Sequence, residues 1–439
     1  MQRVAVIGSG IAGLAAAWKL SSAGSGHRVT LFEAGSHFGG HAHTVDLCLD
    51  GVSHGVDTGF LVFNRHTYPL LTALLDDLGV EVAPSQMSFS VQVPQADGRP
   101  GLEWSGHSLS TVFAQRLNLL RPGFWWMLAE ILRFNRLATV LARRGADAPL
   151  QASIGEFLDQ HRFGAGFREH YLLPMIGCIW SCPTEQMLRF PVGTLIRFCH
   201  NHGLIQVTDR PQWFTVRGGS RQYVRRMVGR LADARLATPV LGVQRRPDGV
   251  RVRTAQGTEA FDALVMACHT DQALALLGDD AREDERAVLG AIRYQPNEAV
   301  LHTDAGMLPK RRAAWAAWNY ERAADTPREQ AQVCLHYLIN HLQPLPWQQP
   351  VIVSLNPARP IDERQVHRRL HYSHPVFDQA ALQAQQRVPG LQGRHRTWFC
   401  GAWCGYGFHE DGLRAGLAAA DGVAAATQAR EAASQQGAA

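Results

Sequence analysis

Lysine is almost missing from this chain: of 43 basic residues only Lys19 and Lys310 are lysine, and the rest are arginine. The arginines are scattered and nearly balanced by 38 acids, leaving a net charge of +5. With no clustered basic stripe interleaved with aromatics, nucleic-acid binding is not indicated. Long apolar runs are also missing, and none approaches the roughly 18 residues of a membrane-spanning helix. The eight cysteines lack the pattern of a secretory disulfide framework. Two C-x-x-x-C pairs, Cys178 with Cys182 and Cys400 with Cys404, lack the C-x-x-C spacing of zinc or redox sites, so buried free thiols are expected and no metal. Charge is sparse too, at 18% against 46% hydrophobic residues, which excludes wholesale disorder and permits a large core. At 439 residues, two to three domains are expected.

What is present organises the rest. Arg3-Val4-Ala5-Val6-Ile7 is a short buried-strand pattern, followed at once by Gly8-Ser9-Gly10-Ile11-Ala12-Gly13 and an Ala/Leu-rich helical run. A second strand pattern closes on Glu33. This is a βαβ dinucleotide-binding unit: Gly8 permits the turn, Gly10 lets the backbone approach a pyrophosphate, and Gly13 lets the helix pack on the sheet. The helix N-terminus offers free N–H groups and positive dipole to phosphates. Glu33, with Ala34 beside it, is placed to accept from ribose hydroxyls and disfavours a 2′-phosphate, hence NADP. Because the unit starts at Met1 there is no room for a signal peptide, and a reducing cytoplasm is the expected compartment.

Gly39-Gly40-His41 follows, a doublet that allows a second close backbone approach or forms an ordinary turn. Thr58-Gly59-Phe60 leaves a strand where a ring can be approached, and residues 68–78 have helical periodicity with Gly79 as C-cap. Phe89-Ser90-Val91-Gln92-Val93 alternates like a strand. The stretch 116–144 is apolar and basic, with six arginines against Glu130, and Pro122-Gly123 breaks it into two helices. It reads either as a surface resting on an anionic bilayer or as a helical pair packed in a substrate domain; apolar positions at helical spacing favour the second. Ser153-Ile154-Gly155-Glu156 is a capping box, Trp180 is either core or pocket lining, and Gly218-Gly219 is a second doublet. Residues 238–243 and 250–254 read as strands joined by Pro247-Asp248-Gly249, and residues 262–268 as a doubly buried strand of a parallel sheet. His367, His371 and His374 have spacings compatible with one helix face, although Pro375 places the last in extended chain. Near the end, Phe399-Cys400-Gly401 and Gly405-Tyr406-Gly407-Phe408-His409-Glu410-Asp411-Gly412 give a strand, a glycine-rich turn and a helix. Gly412 and Gly416 let that helix approach something closely, and its N-terminus suits a ring carbonyl that gains negative charge.

These residues resemble the flavin-containing amine oxidase and phytoene desaturase superfamily along essentially the whole chain. The order Gly8, Gly10, Gly13, Glu33, Gly39-Gly40, the Val240 strand, the strand ending at Ala267 and Phe399-Cys400-Gly401 carries the resemblance. With Trp318-Asn319-Tyr320 and the segment from Gly405 to Gly412, the chain is most similar to bacterial FAD-binding oxidoreductases resembling the oxidoreductase domain of plant cyclopropane fatty-acid synthases. The resemblance implies an α/β fold, a Rossmann-like FAD-binding domain of the glutathione reductase and amine oxidase type with an inserted α+β substrate domain. The FAD-binding segments would be 1–83, 213–284 and 395–439, and the substrate segments 84–212 and 285–394. It assigns Gly8, Gly10, Ile11, Ala12 and Gly13 to the pyrophosphate, Glu33 to the ribose and Val240 to adenine through its backbone. Gly401 and the turn Glu410, Asp411, Gly412, Leu413 would meet the ribityl chain and isoalloxazine. Three departures stand out: His41 where many members have arginine, Ala402 where an acid is common, and no lysine suited to a place beside flavin N5.

The function implied is FAD-dependent hydride transfer from a C–H bond of an apolar, fatty-acyl or similar lipid substrate to flavin N5. Amine or polyene oxidation on the same scaffold is the alternative, and a non-catalytic flavin-binding partner of a lipid-modifying enzyme a third. Tyr406, His409 and Trp318 are expected near the ring, with His409 reading equally as acid or base and as a hydrogen-bonded structural residue. A cytoplasmic location, at or near the inner face of the membrane, goes with a lipid substrate, and the sequence names no electron acceptor.

Overall fold

The computed structural model describes all residues except 23, 94–100, 145–151, 181–183, 207–209, 323–332 and 437–439. Gln2–Ile7 (β1), Ile11–Leu20 (α1) and His27–Phe32 (β2) form the expected opening unit. A five-stranded parallel sheet is built on it, in the order Asp233–Arg235, β2, β1, Ala263–Met266, Thr397–Phe399. Ala263–Met266 is buried throughout and pairs in parallel on both sides, as its uncharged sequence requires. A small antiparallel sheet of Gly242–Arg246, Gly249–Thr254 and Gly257–Phe261 stands beside it. The first of these strands begins at Gly242, so Thr238 and Val240 lie in irregular chain instead of the strand expected from 238.

A second layer is a seven-stranded sheet in the order Val366–Pro375, Tyr294–His302, Ile352–Leu355, Cys334–Leu338, Trp318–Glu321, Phe89–Val93, Leu102–Ser105. Because side chains alternate along a strand, each strand has one face toward the Rossmann sheet and one away. Ala299, Trp318, Tyr337, Val353 and Leu355 share the first face, while His302, Asn319, Glu321, His336 and Ser354 lie on the other. The three histidines spaced for a helix lie instead on the strand Val366–Pro375. Its period of two puts His374 on the opposite face from His367 and His371.

The 116–144 stretch is a short 3-10 turn, Arg116–Leu120, followed by the helix Pro122–Arg144, with Pro122 opening the helix. Phe124, Met127, Phe134 and Ala138 pack inward, Phe134 against Phe157, Phe163 and Phe167. The packed-helix reading describes only that face, since Trp125, Trp126 and Leu132 stand in solvent. The capping box at Ser153 is present, with Glu156 N–H donating to Ser153 Oγ at 3.2 Å and Ser153 N–H donating to Glu156 at 2.8 Å.

The C-terminal helix His409–Gln436 lies against α1. A Cβ at Gly412 would come within 2.7 Å of Ile11, and one at Gly416 within 2.0 Å of the Ala12 carbonyl oxygen. The close approach expected of this glycine pair is therefore to α1. No helix among the described residues is long and apolar enough to cross a membrane.

Candidate active site

One cavity of about 1290 Å³ lies between the Rossmann sheet and the seven-stranded sheet. It exceeds the roughly 300–1,000 Å³ of an ordinary small-molecule site. At its nucleotide end are Gly8, Gly10, Ile11, Ala12, Glu33, Ala34, Gly39, Gly40, His41, Val240 and Ala267. Gly8 takes a φ of +99°, and a Cβ there would meet the Ala267 carbonyl oxygen at 2.8 Å. Gly13 stands behind this wall, where a Cβ would overlap the Gly8 carbonyl oxygen at 1.9 Å. Gly10 has open space where a side chain would go, and a parallel bridge joins it to Gly39. Gly40 closes over the same point, with a would-be Cβ 3.1 Å from Gly10 Cα. The two glycine segments thus form one floor at the N-terminus of α1. The Glu33 carboxylate accepts from Ser9 N–H (3.0 Å), Ser9 Oγ and Gly35 N–H (2.7 Å), which fixes it at the end of β2. His41 is half-buried, its buried Nε2 has no hydrogen-bond partner among the described residues, and desolvation with the neighbouring His374, His269 and His409 holds its pKa well below the ordinary value.

The middle of the cavity is lined by Thr58, Gly59, Phe60, Tyr372, His374, Gly401, Tyr406 and His409. His374 has a defined tautomer. The Glu298 N–H donates to Asn356 Oδ1 (2.9 Å), the Asn356 amide to Asn297 Oδ1 (2.7 Å), and the Asn297 amide to His374 Nδ1 (2.9 Å). A ring whose Nδ1 accepts carries its proton on Nε2. Burial, with His269 nearby, lowers its pKa to about 4, so it is a neutral N–H donor. His409 stacks on Phe60 at 3.8 Å and bonds through Nε2 to the buried Tyr223 hydroxyl at 2.5 Å; burial lowers it to about 3. It is neutral and already held, which fits the hydrogen-bonded reading of this residue and leaves it no proton to give near neutrality.

Glu410, Asp411, Gly412 and Leu413 do not line the cavity. Glu410 accepts from the N–H groups of Leu70 and Leu71 at 2.9 and 3.0 Å, capping the helix Pro69–Asp77. Asp411, pushed up to about 6 by burial, accepts from Tyr406 and Phe408 N–H at 3.1 and 3.0 Å and so shapes the turn that carries Tyr406. Buried Asp57, also raised to about 6 by burial, ties Thr44, Ser220 and Gln343 together behind the wall.

The far end is apolar and aromatic: Trp318, Tyr337, Val353, Leu355, Trp180 and Phe198 line it. Trp318 Nε1 is buried with no hydrogen-bond partner among the described residues. Trp180 donates to the Tyr406 carbonyl at 3.3 Å, so it belongs to the pocket. His202 also lines this end and was not singled out from sequence. Its Nδ1–H donates to the Phe198 carbonyl at 3.0 Å, leaving Nε2 as the accepting nitrogen of a ring held neutral, at about 4, by burial. Neither lysine reaches the cavity: Lys19 pairs with Asp421, and Lys310 is exposed.

Cys178 and Cys400 are buried free thiols, and Cys182 lies outside the described residues. Glu321, Cys334 and His336, behind the seven-stranded sheet, have ligand atoms within 4.8 Å of one another. Arg359 and Gln92 already donate to Glu321, at 2.8 and 3.1 Å. Burial would lower His336, yet Cys334 and Glu321 hold it at about 9, so the group is a buried ion-pair network.

Residues 11–301, more than half of the chain, match the family described as flavin containing amine oxidoreductase. The chain belongs to that family. Its cofactor is FAD, and the residues present fit it: a side-chain-free floor at a helix N-terminus, a carboxylate at the end of β2, and an orphaned histidine nitrogen beside the glycine doublet. A relative of this flavoprotein from Mycobacterium tuberculosis, named as a flavin-containing monoamine oxidase, is 27% identical over 271 residues, 60% of this chain and 56% of the relative. The match thus spans about half of that relative's length. Among solved structures, a CLA-producing fatty acid isomerase from P. acnes superposes with a TM-score of 0.66 at 18% identity, covering 95% of this chain and 97% of that one. The cyclohexylamine oxidase of Brevibacterium oxydans superposes with a TM-score of 0.65 at 16% identity, covering 97% and 99%. At such identities the superpositions show the fold, which is the Rossmann-like FAD-binding type read from the sequence.

Proposed function

We propose that this flavoprotein dehydrogenates an apolar, fatty-acyl substrate, one C–H bond giving up hydride and the adjacent carbon a proton, so that a carbon–carbon double bond forms. The observation that carries this reading is the charge of the cavity wall. Among the described lining residues only Glu33 and Arg210 have permanently charged side chains, and Glu33 is engaged at the nucleotide end. An alkylammonium substrate entering the aromatic end would meet no carboxylate there, and burying an unpaired charge is costly. An acyl chain needs only the surfaces of Trp318, Tyr337, Val353, Leu355 and Phe198.

Bound FAD supplies the hydride acceptor at N5. The protein supplies position: the glycine floor, Glu33 and His41 hold the dinucleotide, and the aromatic wall orients the chain and excludes water. His374 presents a fixed Nε2–H donor in the middle of the cavity. His202 Nε2 is the acceptor for the proton, which His409 is too firmly bonded to take. The solved fatty acid isomerase with this fold supports an acyl substrate, whereas the M. tuberculosis relative's name favours amine oxidation as the second reading.

Anaerobic mixing of the oxidised holoprotein with fatty-acyl lipids, primary amines and polyenes separates them. Loss of the flavin absorbance with the acyl lipid and not with amines is the expected result. Reduction by amines or polyenes alone would overturn the acyl assignment, and reduction by none would support a non-catalytic flavin-binding partner. The variant His202→Asn should lower the rate of reduction with little change in FAD content.

A further inference from the structure

We infer that the face formed by residues 109–144 docks on an anionic lipid bilayer and presents the mouth of the cavity to it. Twelve large hydrophobic residues are exposed among the described part of the chain, and eight of them lie between Leu109 and Val140. Leu120 is 80% and Trp126 68% exposed, on the turn and helix that follow Leu109, itself 81% exposed. Scattered exposed apolar residues need no explanation, but a concentration of this kind marks a binding surface.

Charge decides which surface. All six arginines of the stretch, at 116, 121, 133, 136, 143 and 144, are exposed. Its single acid, Glu130, is buried, accepting from Gly164 N–H at 2.9 Å and from Arg133 at 3.3 Å. The outward face of Pro122–Arg144 therefore offers Trp125, Leu132 and Val140 interleaved with Arg136 and Arg143. Tryptophan and leucine beside arginine, with no exposed acid, complement the headgroup and acyl boundary of an anionic membrane. A protein partner or second copy would more commonly meet such a face with paired charges of both signs.

The patch is continuous with the cavity. His107, Ser108, Leu109 and Val112 line its mouth, and Trp104 and Phe113 tie that rim to the helix through Phe124 at 6.2 and 5.8 Å. Arg210 lines the cavity as well, and its charge is felt at Tyr171, the ring beside Trp104. A lipid leaving the bilayer would enter the cavity without crossing water. The docking stands independently of which bond the flavin oxidises.

Flotation of the purified holoprotein with phosphatidylcholine vesicles, with and without phosphatidylglycerol, tests it. Binding to the anionic vesicles at least about tenfold stronger than to the neutral ones, and weakened by added salt, is expected. The double variant Leu120→Glu/Trp126→Glu, altering two side chains that stand in solvent, should lower binding by roughly tenfold or more while FAD content and circular dichroism stay unchanged. Equal binding to both vesicle types, or unchanged binding by the double variant, would overturn the proposal. So would a wild-type dimer in light scattering that the double variant converts to monomer, which would assign the face to a second copy.

Discussion

Glu33 carries more structure than a ribose contact requires. Its carboxylate is anchored by Ser9 and Gly35, so it is presented to the dinucleotide already oriented, with little side-chain freedom left to lose. Glu33→Leu should weaken FAD affinity by about tenfold or more, since it also leaves the buried Ser9 N–H without its acceptor; flavin fluorescence on dilution measures it, and unchanged affinity would remove Glu33 from this role. A second consequence at this scale is pH dependence. Burial lowers His43, His202 and His374 to about 4 and His409 to about 3. Since each lies below its unfolded value near 6.5, the unfolded chain binds more protons in between, and stability present above about 6.5 is lost as pH falls toward 4. Asp57 and Asp411, raised to about 6, offset part of this between about 6 and 4. His336 works from the other side: its contribution is full below about 6.5 and lost as pH rises through 9. Melting temperature should therefore drop on acidification from about pH 7 to about pH 4, with flavin released in the same step, and should also fall as pH rises from about 6.5 to about 9.

At the level of elements, the seam between α1 and the C-terminal helix depends on glycine. Gly416→Val would drive a side chain into the Ala12 carbonyl and force the helices apart. A loss of several kcal/mol is expected, on the order of a severe overpacking, visible as a lower melting temperature and poorer flavin retention in the same variant. The sequence made this segment legible as a strand, turn and helix, but not what its glycines face, because a small residue only permits an approach and does not name the partner. The same holds for Glu410 and Asp411: two acids at a helix start read as cofactor contacts, and their acceptors are spent on Leu70, Leu71, Tyr406 and Phe408. The βαβ unit was legible because its period, its glycines and its terminal acid all agree within thirty-three residues. The strand Val366–Pro375 was not, since it pairs with Tyr294–His302 alone, at the end of its sheet, and half-exposed side chains leave no hydrophobic alternation to read. His202 was not singled out, and His374 was noted only for its spacing, for a related reason: a histidine's tautomer is set by Asn297 or by the Phe198 carbonyl, partners distant in sequence or unmarked in it.

For the molecule as a whole, the cavity that would receive FAD is walled by both sheets, so energy gained on binding there would also be folding energy. Stripping FAD should lower the melting temperature by several degrees, and restoring it at about a hundred times its dissociation constant should return roughly 3 kcal/mol; calorimetry of the apo and reconstituted protein measures this. Gly8, Glu33, Gly39 and Gly40 from one end of the chain and Gly401 from the other, assigned to that cofactor from sequence, line one cavity. The middle of the chain supplies the seven-stranded sheet and the aromatic wall, which only the assembled fold reveals. Thr397–Phe399 is an outer strand of the Rossmann sheet, Gly401 to His409 lines the cavity, and the last helix seals α1. During synthesis, at roughly 5–20 residues per second, β1 and α1 emerge on the order of half a minute or more before those last segments exist. Closure of the cavity thereby waits until residues 397–409 have been made, and a nascent chain halted before residue 397 would expose a glycine floor without those segments to close over it.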